Sequence, residues 1–495
     1  MTKINPVMTY SIPEAIADLR AVDQIKSVLL AKGGKLAAAD LDSAIACKAS
    51  ICGACLDSRM LSNKELFVAL PGESFHGREF VGPWLKQGGW VLTDAFDGAE
   101  DPLLGMNCGN DSGVLVCENP VEALATLAAN WRDRMDVTVI GVTGTNGKTT
   151  TKDLLAAVLS GSASTHATAG NFNNALGLPL TLLGLQPEHR FAVIEMGASA
   201  IGEIDGLAQL ARPDIGVITN AAPAHLAEFG SLAGIISGKG ELLDHLPATG
   251  AAVLNTDSSG WQAWNDRAIC RVISLGRKNG EHQWASSQRA GESVLTLDGS
   301  EWIVPLPGEH NAFNLAVAIL VARDLGLKDA EILAGLGTFR GSPHRGVVLN
   351  VGGRTVIDDA YNANPESMLA AVHSLINVAG NAGSGRTFAV LGPMAELGDD
   401  AVKMHFTTGH AMGKTSLDVL LAVGEAAQSM ASGFTAGGGQ SVTCASVAEA
   451  AQWLTDNSQP NDFLLVKGSR SAAMETILPM LEKTFGSNPD IKTEA

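Results

Sequence analysis

The chain is expected to fold as an α/β protein of three domains, and three observations carry that expectation. Its 495 residues exceed a single domain of about 100–200 residues several times over. Apolar runs rich in β-branched residues alternate with segments of helical periodicity, the pattern of a parallel sheet with crossover helices. A glycine-rich loop suited to phosphate joins one such strand to one such helix. Composition agrees: 46% hydrophobic residues supply several cores, and 17% charged residues are too few for a disordered chain.

The elements follow in order. Residues 1–134 hold short strand-like runs, such as Leu66-Phe67-Val68-Ala69-Leu70, and close with a helix expected over 120–135. The run 137–142 is β-branched like a buried parallel strand and opens a second segment, 135–338. Strands are expected at 191–194, 215–219 and 251–255, antiparallel alternation over 276–306, and a helix over 312–325. A Gly-, Ser- and Pro-rich stretch near 335–346 marks the next boundary. The third segment, 339–495, repeats strand, loop and helix, with strands at 355–357, 387–391, 419–423 and 463–466. Ligands of such sheets bind beyond the carboxyl ends of the strands.

Charge and cysteine content narrow the function. A net charge of −18 repels nucleic-acid phosphates and anionic membranes in a chain without a basic run, so no nucleic-acid partner is expected. Residues 1–20 lack a signal-peptide core, and no stretch reaches the roughly 18 apolar residues of a membrane span. No integral membrane segment and a cytoplasmic location are expected. Seven cysteines over this length make no disulfide framework. Cys52 and Cys55, with Cys47 upstream, lack the further ligands of a zinc site, and ordinary packing is the favoured reading.

The sharpest local signal is Gly141-Val142-Thr143-Gly144-Thr145-Asn146-Gly147-Lys148-Thr149-Thr150. It follows an apolar strand and precedes the helical pattern of Leu154, Leu155, Val158 and Leu159. Glycines let backbone N–H groups turn inward around phosphate oxygens. Lys148 can reach the β- and γ-phosphates of ATP, and the Thr149 hydroxyl can sit on Mg²⁺. The loop departs from the strict P-loop pattern, because Val142 stands five before Gly147 and the glycine falls at Gly144 instead.

The string 143–150 resembles the ATP loop of the Mur ligases and of their relative folylpolyglutamate synthase. Further matches follow in the family's order: Gly170-Asn171-Phe172-Asn173-Asn174, Gly177-Leu178-Pro179, Glu195-Met196-Gly197, Asn220 and His225, and Gly308-Glu309-His310-Asn311-Ala312-Phe313-Asn314. Pro343-His344-Arg345, Asp359-Ala360-Tyr361-Asn362-Ala363-Asn364-Pro365 and Leu465-Val466-Lys467-Gly468-Ser469-Arg470 complete the set. The last two strings resemble those of the member that adds D-alanyl-D-alanine. Asp57-Ser58-Arg59 with Phe67-Val68-Ala69-Leu70-Pro71-Gly72 resembles the UDP-binding module, which folylpolyglutamate synthase lacks.

The resemblance implies a small N-terminal α/β UDP-binding domain, a central parallel-sheet ATPase domain and a C-terminal Rossmann-like domain. It implies ATP-dependent ligation of D-alanyl-D-alanine to UDP-N-acetylmuramoyl-tripeptide through an acyl phosphate, by a monomer, to form the pentapeptide precursor of peptidoglycan. ATP would lie on Gly144, Thr145, Asn146, Gly147, Lys148, Thr149 and Thr150, with Asn311 and Asn314 on the adenine side and Arg345 and Asp359 reaching it from the third segment. Lys148, Glu195, His225 and Lys239 form the implied catalytic set. Thr149, Glu195, His225 and Lys239 would hold Mg²⁺, Lys239 matching a lysine that most of the family carbamylates. Ser58 and Arg59 would meet the uridine diphosphate, Asn173 and Asn174 the acceptor, Tyr361, Asn362 and Asn364 the dipeptide, and Lys467 substrate or γ-phosphate. Plainer roles stand beside these: a helix cap for Asn311 or Asn314, a surface turn at Ser58 and Arg59, an interface ion pair for Arg345, a turn before Pro365, a structural Lys467. Closure of the third domain over ATP is expected. The alternatives are a sister ligase adding one amino acid, a P-loop ATPase coupled to transport or motion, and an inert UDP-sugar-binding protein.

Overall fold

A computed structural model of the chain describes residues 10–486 apart from 63, 73–74, 98–100, 225, 290–291, 305 and 384. It holds two compact units, one of Met1–Gly141, Ala163–Met196 and Gly206–Pro213, the other of Val142–Ser162, Gly197–Asp205 and Asp214–Ala495.

The first unit contains a six-stranded sheet in the order Lys35–Ala39, Ile25–Lys32, Gly113–Cys117, Trp90–Asp94, Leu66–Ala69, Ala54–Cys55. Its first two pairings are antiparallel and the rest parallel. Gly113–Cys117 and Leu66–Ala69 are buried along their whole length, which is why they read as unbroken apolar runs. Helix Pro120–Asp133 starts where the Asn119 side chain accepts from the N–H groups of Val121 and Glu122, with proline in the first turn where its missing N–H costs nothing. It buries the stripe Ala123, Leu124, Leu127, Ala128 and Trp131. Thr165–Ala167 and Phe191–Glu195 pair in parallel in the same unit.

The second unit contains the parallel strands Ile215–Ile218, Ala251–Asn255 and Arg271–Gly276, continued by the meander His282–Arg289, Glu292–Leu297 and Ser300–Val304. Helix Glu309–Asp324 packs on helix Lys148–Ser160. Every residue from Asn311 to Ala322 is buried, so this helix is apolar all round, as a core helix must be.

A further sheet in that unit runs Val347–Val351, Arg354–Asp359, Phe463–Lys467, Thr387–Leu391, Val419–Val423, Gln440–Cys444. The first pair is antiparallel and the others are parallel. Alternate residues feed two cores: Ala389 and Leu391 lie in one, Phe388 and Val390 in the other. The strand nearest the C-terminus sits between two earlier ones, which makes a topological switch there and brings the ends Asp359, Lys467 and Leu391 into register.

Among the described residues no helix is long and apolar enough to cross a membrane, and no group of three or more His, Cys, Asp or Glu could hold a metal ion. Cys47, Cys52 and Cys55 are half-buried and, among the described residues, in no disulfide.

Candidate active site

The phosphate loop is shaped by its glycines. Gly144 and Gly147 adopt φ of +144° and +81°, a region closed to most side chains. A Cβ on Gly144 would collide with the Thr219 hydroxyl, and one on Gly147 would lie 2.7 Å from Asn314 Oδ1. The loop is therefore pressed between the end of strand Ile215–Ile218 and helix Glu309–Asp324. Thr145 N donates to Asn220 O at 3.0 Å, Asn146 N donates to Asn220 Oδ1 at 2.9 Å, and Thr219 Oγ1 donates to Asn146 O at 2.6 Å. The Thr145 hydroxyl exchanges bonds with the backbone of Ala222. Thr219 and Ala222 escape a reading of the sequence, because no motif marks them.

Helix Lys148–Ser160 starts at the loop, so its free N–H groups and positive dipole end face the same place. Lys148 Nζ folds back and donates to Gly144 O at 2.9 Å and Thr145 O at 3.0 Å. Thr149 is buried in the first turn of that helix, and Thr150 follows it. A cavity lined by Gly144, Thr145, Lys148, Ala198, Ala224, Phe229, Ile235 and Lys239 brings the two predicted amines together. Lys239 is 3% exposed, with Nζ 5.4 Å above the Phe229 ring. Burial, and then the charge of Lys148, lower its ammonium to about 7 against the pull of Glu203 and Glu241.

Glu195 ends its strand in the first unit and is 1% exposed. Its Oε1 accepts from Asn173 Nδ2 at 2.7 Å, while Oε2 is buried without a hydrogen-bond partner among the described residues. A buried carboxylate oxygen without a donor is costly, and it is the kind of oxygen a hard cation takes. Asn174 Oδ1 accepts from Leu176 N and Gly177 N, just before and at the first residue of helix Gly177–Leu183. His225 lies outside the described residues.

Neither Asn311 nor Asn314 caps its helix. The cap position is Gly308, at φ +104°, which offers no side chain. Asn311 Nδ2 instead donates to Pro307 O at 2.8 Å, and Asn314 Oδ1 accepts from Thr151 Oγ1 at 3.2 Å, which ties it to the phosphate-loop helix. Among the described residues Arg345 is in no ion pair; its guanidinium carbon lies 3.8 Å from the centre of the Tyr361 ring, with that of Arg470 at 6.0 Å. Tyr361 N donates to His344 O at 3.1 Å, and the His344 ring bonds Asp358 Oδ2 at 2.7 Å. Lys467, 3% exposed, donates to Asp359 Oδ2 at 2.6 Å and to Asn362 O at 2.9 Å. Asn362 Oδ1 accepts from Ala363 N. Asn364 caps helix Pro365–Ala382 by accepting from Ser367 N at 2.9 Å.

Ser58 and Arg59 lie in a turn of the first unit, Ser58 half-buried and Arg59 exposed. Arg59 grips its neighbour Asp57 with Nε to Oδ1 at 2.8 Å and Nη2 to Oδ2 at 2.6 Å, which holds that carboxyl down at about 2.

The family model for the Mur ligase middle domain matches residues 142–322, and that for the Mur ligase glutamate ligase domain matches residues 344–470. The UDP-N-acetylmuramoyl-tripeptide–D-alanyl-D-alanine ligase of Synechocystis sp. is 36% identical over 434 residues, 86% of this chain and 91% of that protein. The ligase of the same name from Escherichia coli is 34% identical over 439 residues, 86% and 93% of the two chains. A crystal structure of MurF from Acinetobacter baumannii superposes with a TM-score of 0.80 at 30% identity, covering 97% of this chain and all of that one. MurF from Thermotoga maritima in complex with ADP superposes at 0.73 and 26% identity, covering 87% and 97%. The chain belongs to the Mur ligase family.

Proposed function

We propose that the chain is an ATP-dependent ligase that joins D-alanyl-D-alanine to UDP-N-acetylmuramoyl-tripeptide and yields the UDP-linked pentapeptide precursor of peptidoglycan. The observation that carries this reading is the phosphate loop, with Lys148 and the buried Lys239 on one cavity, in a chain aligned over most of its length with D-alanyl-D-alanine ligases.

The acceptor carboxylate is a poor electrophile. It first takes the γ-phosphoryl group of ATP, and the dipeptide amine then displaces phosphate from the acyl phosphate. Such transfer asks for positioning and charge neutralisation rather than covalent help. The loop N–H groups and Lys148 would hold the phosphates, Lys148 Nζ exchanging the loop carbonyls for phosphate oxygens. Asn311 and Asn314 would lie on the adenine side, and Arg345 and Asp359 would meet the phosphates.

Oxygen donors suited to Mg²⁺ are the Thr149 hydroxyl and the unpartnered Glu195 Oε2; His225 and a carbamate on Lys239 complete the proposed set. When bound, Mg²⁺ neutralises phosphate charge. The lowered Lys239 amine supports carbamylation, because CO₂ adds only to a neutral amine. Ser58 and Arg59 are assigned to the uridine diphosphate, Asn173 and Asn174 to the acceptor, Tyr361, Asn362 and Asn364 to the dipeptide side, and Lys467 to substrate or γ-phosphate. Domain divisions near residues 134 and 338 and a cytoplasmic monomer go with this reading.

The test is phosphate release from ATP in the presence of UDP-N-acetylmuramoyl-tripeptide, with D-alanyl-D-alanine or a single amino acid supplied in parallel. Release that needs the dipeptide, with the pentapeptide mass appearing, is the expected result. Release with a single amino acid would move the chain to a sister ligase, and release indifferent to acceptor would leave an ATPase.

A further inference from the structure

We propose that Asn146 is a positioning residue that fastens the phosphate loop to the start of helix Pro365–Ala382, and that this link holds the third segment in register for phosphoryl transfer. The proposal rests on the reading of the loop as an ATP site.

Asn146 stands in the loop, half-buried, and its side chain is spent on other residues of the chain. Its Nδ2 donates to Glu366 Oε2 at 2.6 Å, and its Oδ1 accepts from Asn364 Nδ2 at 2.6 Å. Its backbone is fixed as well, N to Asn220 Oδ1 and O to Thr219 Oγ1. A side chain so engaged is not free to grip a nucleotide. What it grips instead is a rigid corner: Asn364 Oδ1 accepts from Ser367 N while Nδ2 reaches Asn146, so the amide that caps the helix is also the one that ties it to the loop.

That corner carries the rest of the third-segment machinery. Three residues before Asn364 stands Tyr361, on which Arg345 stacks, and Lys467 anchors the intervening backbone through Asn362 O. Position of the helix start therefore sets the position of Arg345. The charge pattern also points to a purpose. A carboxylate beside a loop meant for polyphosphate is unfavourable, and the neutral amide of Asn146 standing between them makes Glu366 a holding group.

The test is a double-mutant cycle on the full chain with Asn146→Ala, Glu366→Ala and both, and with Glu366→Gln as the conservative variant. Two quantities are read: kcat for dipeptide-dependent phosphate release and the affinity for ADP. Each alanine variant is expected to lower kcat about threefold to tenfold, the pair to be no worse than the poorer single, Glu366→Gln to recover most of the rate, and ADP affinity in the Glu366 variants to stay within about twofold. Losses that add, unchanged rates, or a weakened ADP affinity at unchanged kcat in Asn146→Ala would each overturn the link. Wild-type chain without dipeptide-dependent turnover would overturn the ligase reading and the link with it, so the two failures are told apart.

Discussion

Lys239 is an amine out of water next to another amine. Both effects favour its neutral form and bring its titration down to about 7. Below that pH the proton keeps Nζ cationic and closed to CO₂; above it the neutral amine prevails. We expect a carbamate signal from ¹³C-labelled bicarbonate to grow as pH rises through about 7, ligase activity to rise with it, and both to vanish in Lys239→Arg. A rate that ignores pH across that window would remove the carbamate from the mechanism. Tyr361 makes a different kind of case. Its ring lies under the Arg345 guanidinium and holds that cation by its face, in the place where the proposed function needs Arg345 to meet phosphate oxygens. Tyr361→Leu should raise KM for ATP about twofold to fivefold, the equivalent of an exposed cation–π contact of about 0.5–1 kcal/mol, and Tyr361→Phe should not. Equal effects of the two would tie the role to the hydroxyl.

Strands and helices were legible in proportion to how much of each is buried. Thr387–Leu391, Val419–Val423 and Ala251–Asn255 stand where their apolar runs place them. Val347–Val351 and Gln440–Cys444, the two edges of the third-segment sheet, carry polar or half-exposed residues; the second has no apolar run to announce it, and the first, Val347-Val348-Leu349-Asn350-Val351, has one that escapes a reading of the sequence beside the Gly- and Pro-rich boundary. Helix Glu309–Asp324 begins three residues before its expected start, because Gly308, at φ +104°, ends the preceding loop where the apolar pattern has not yet begun. Caps were clearer. Asn119 before Pro120 is an N-terminus signal, and its Oδ1 takes two backbone donors. Asn119→Ala should cost about 1 kcal/mol in chemical unfolding; an unchanged midpoint would mean that water satisfies those donors.

The chain as a whole is a scaffold for bringing distant segments to the carboxyl ends of parallel strands. If ADP binds the folded chain alone, ADP at about one hundred times its Kd should stabilise it by about 2.7 kcal/mol, seen as a raised thermal midpoint. Gly147→Ala, which puts a Cβ against Asn314, should abolish the rise, and a full rise in that variant would place the nucleotide elsewhere. The α/β class, the phosphate loop and the order of the family's motifs could be read from the sequence, because each is local: hydrophobic period sets the element, and glycine spacing sets the turn. Partnerships were settled by the tertiary structure alone. Asp359 meets Lys467 because two strands 108 residues apart share a register. Asn146 meets Glu366 across 220 residues, and Asn314 turns to Thr151 across 163. A side chain's type is written in the sequence, but its direction is chosen by whatever packs beside it, and no local pattern carries the register of a segment folded in from elsewhere.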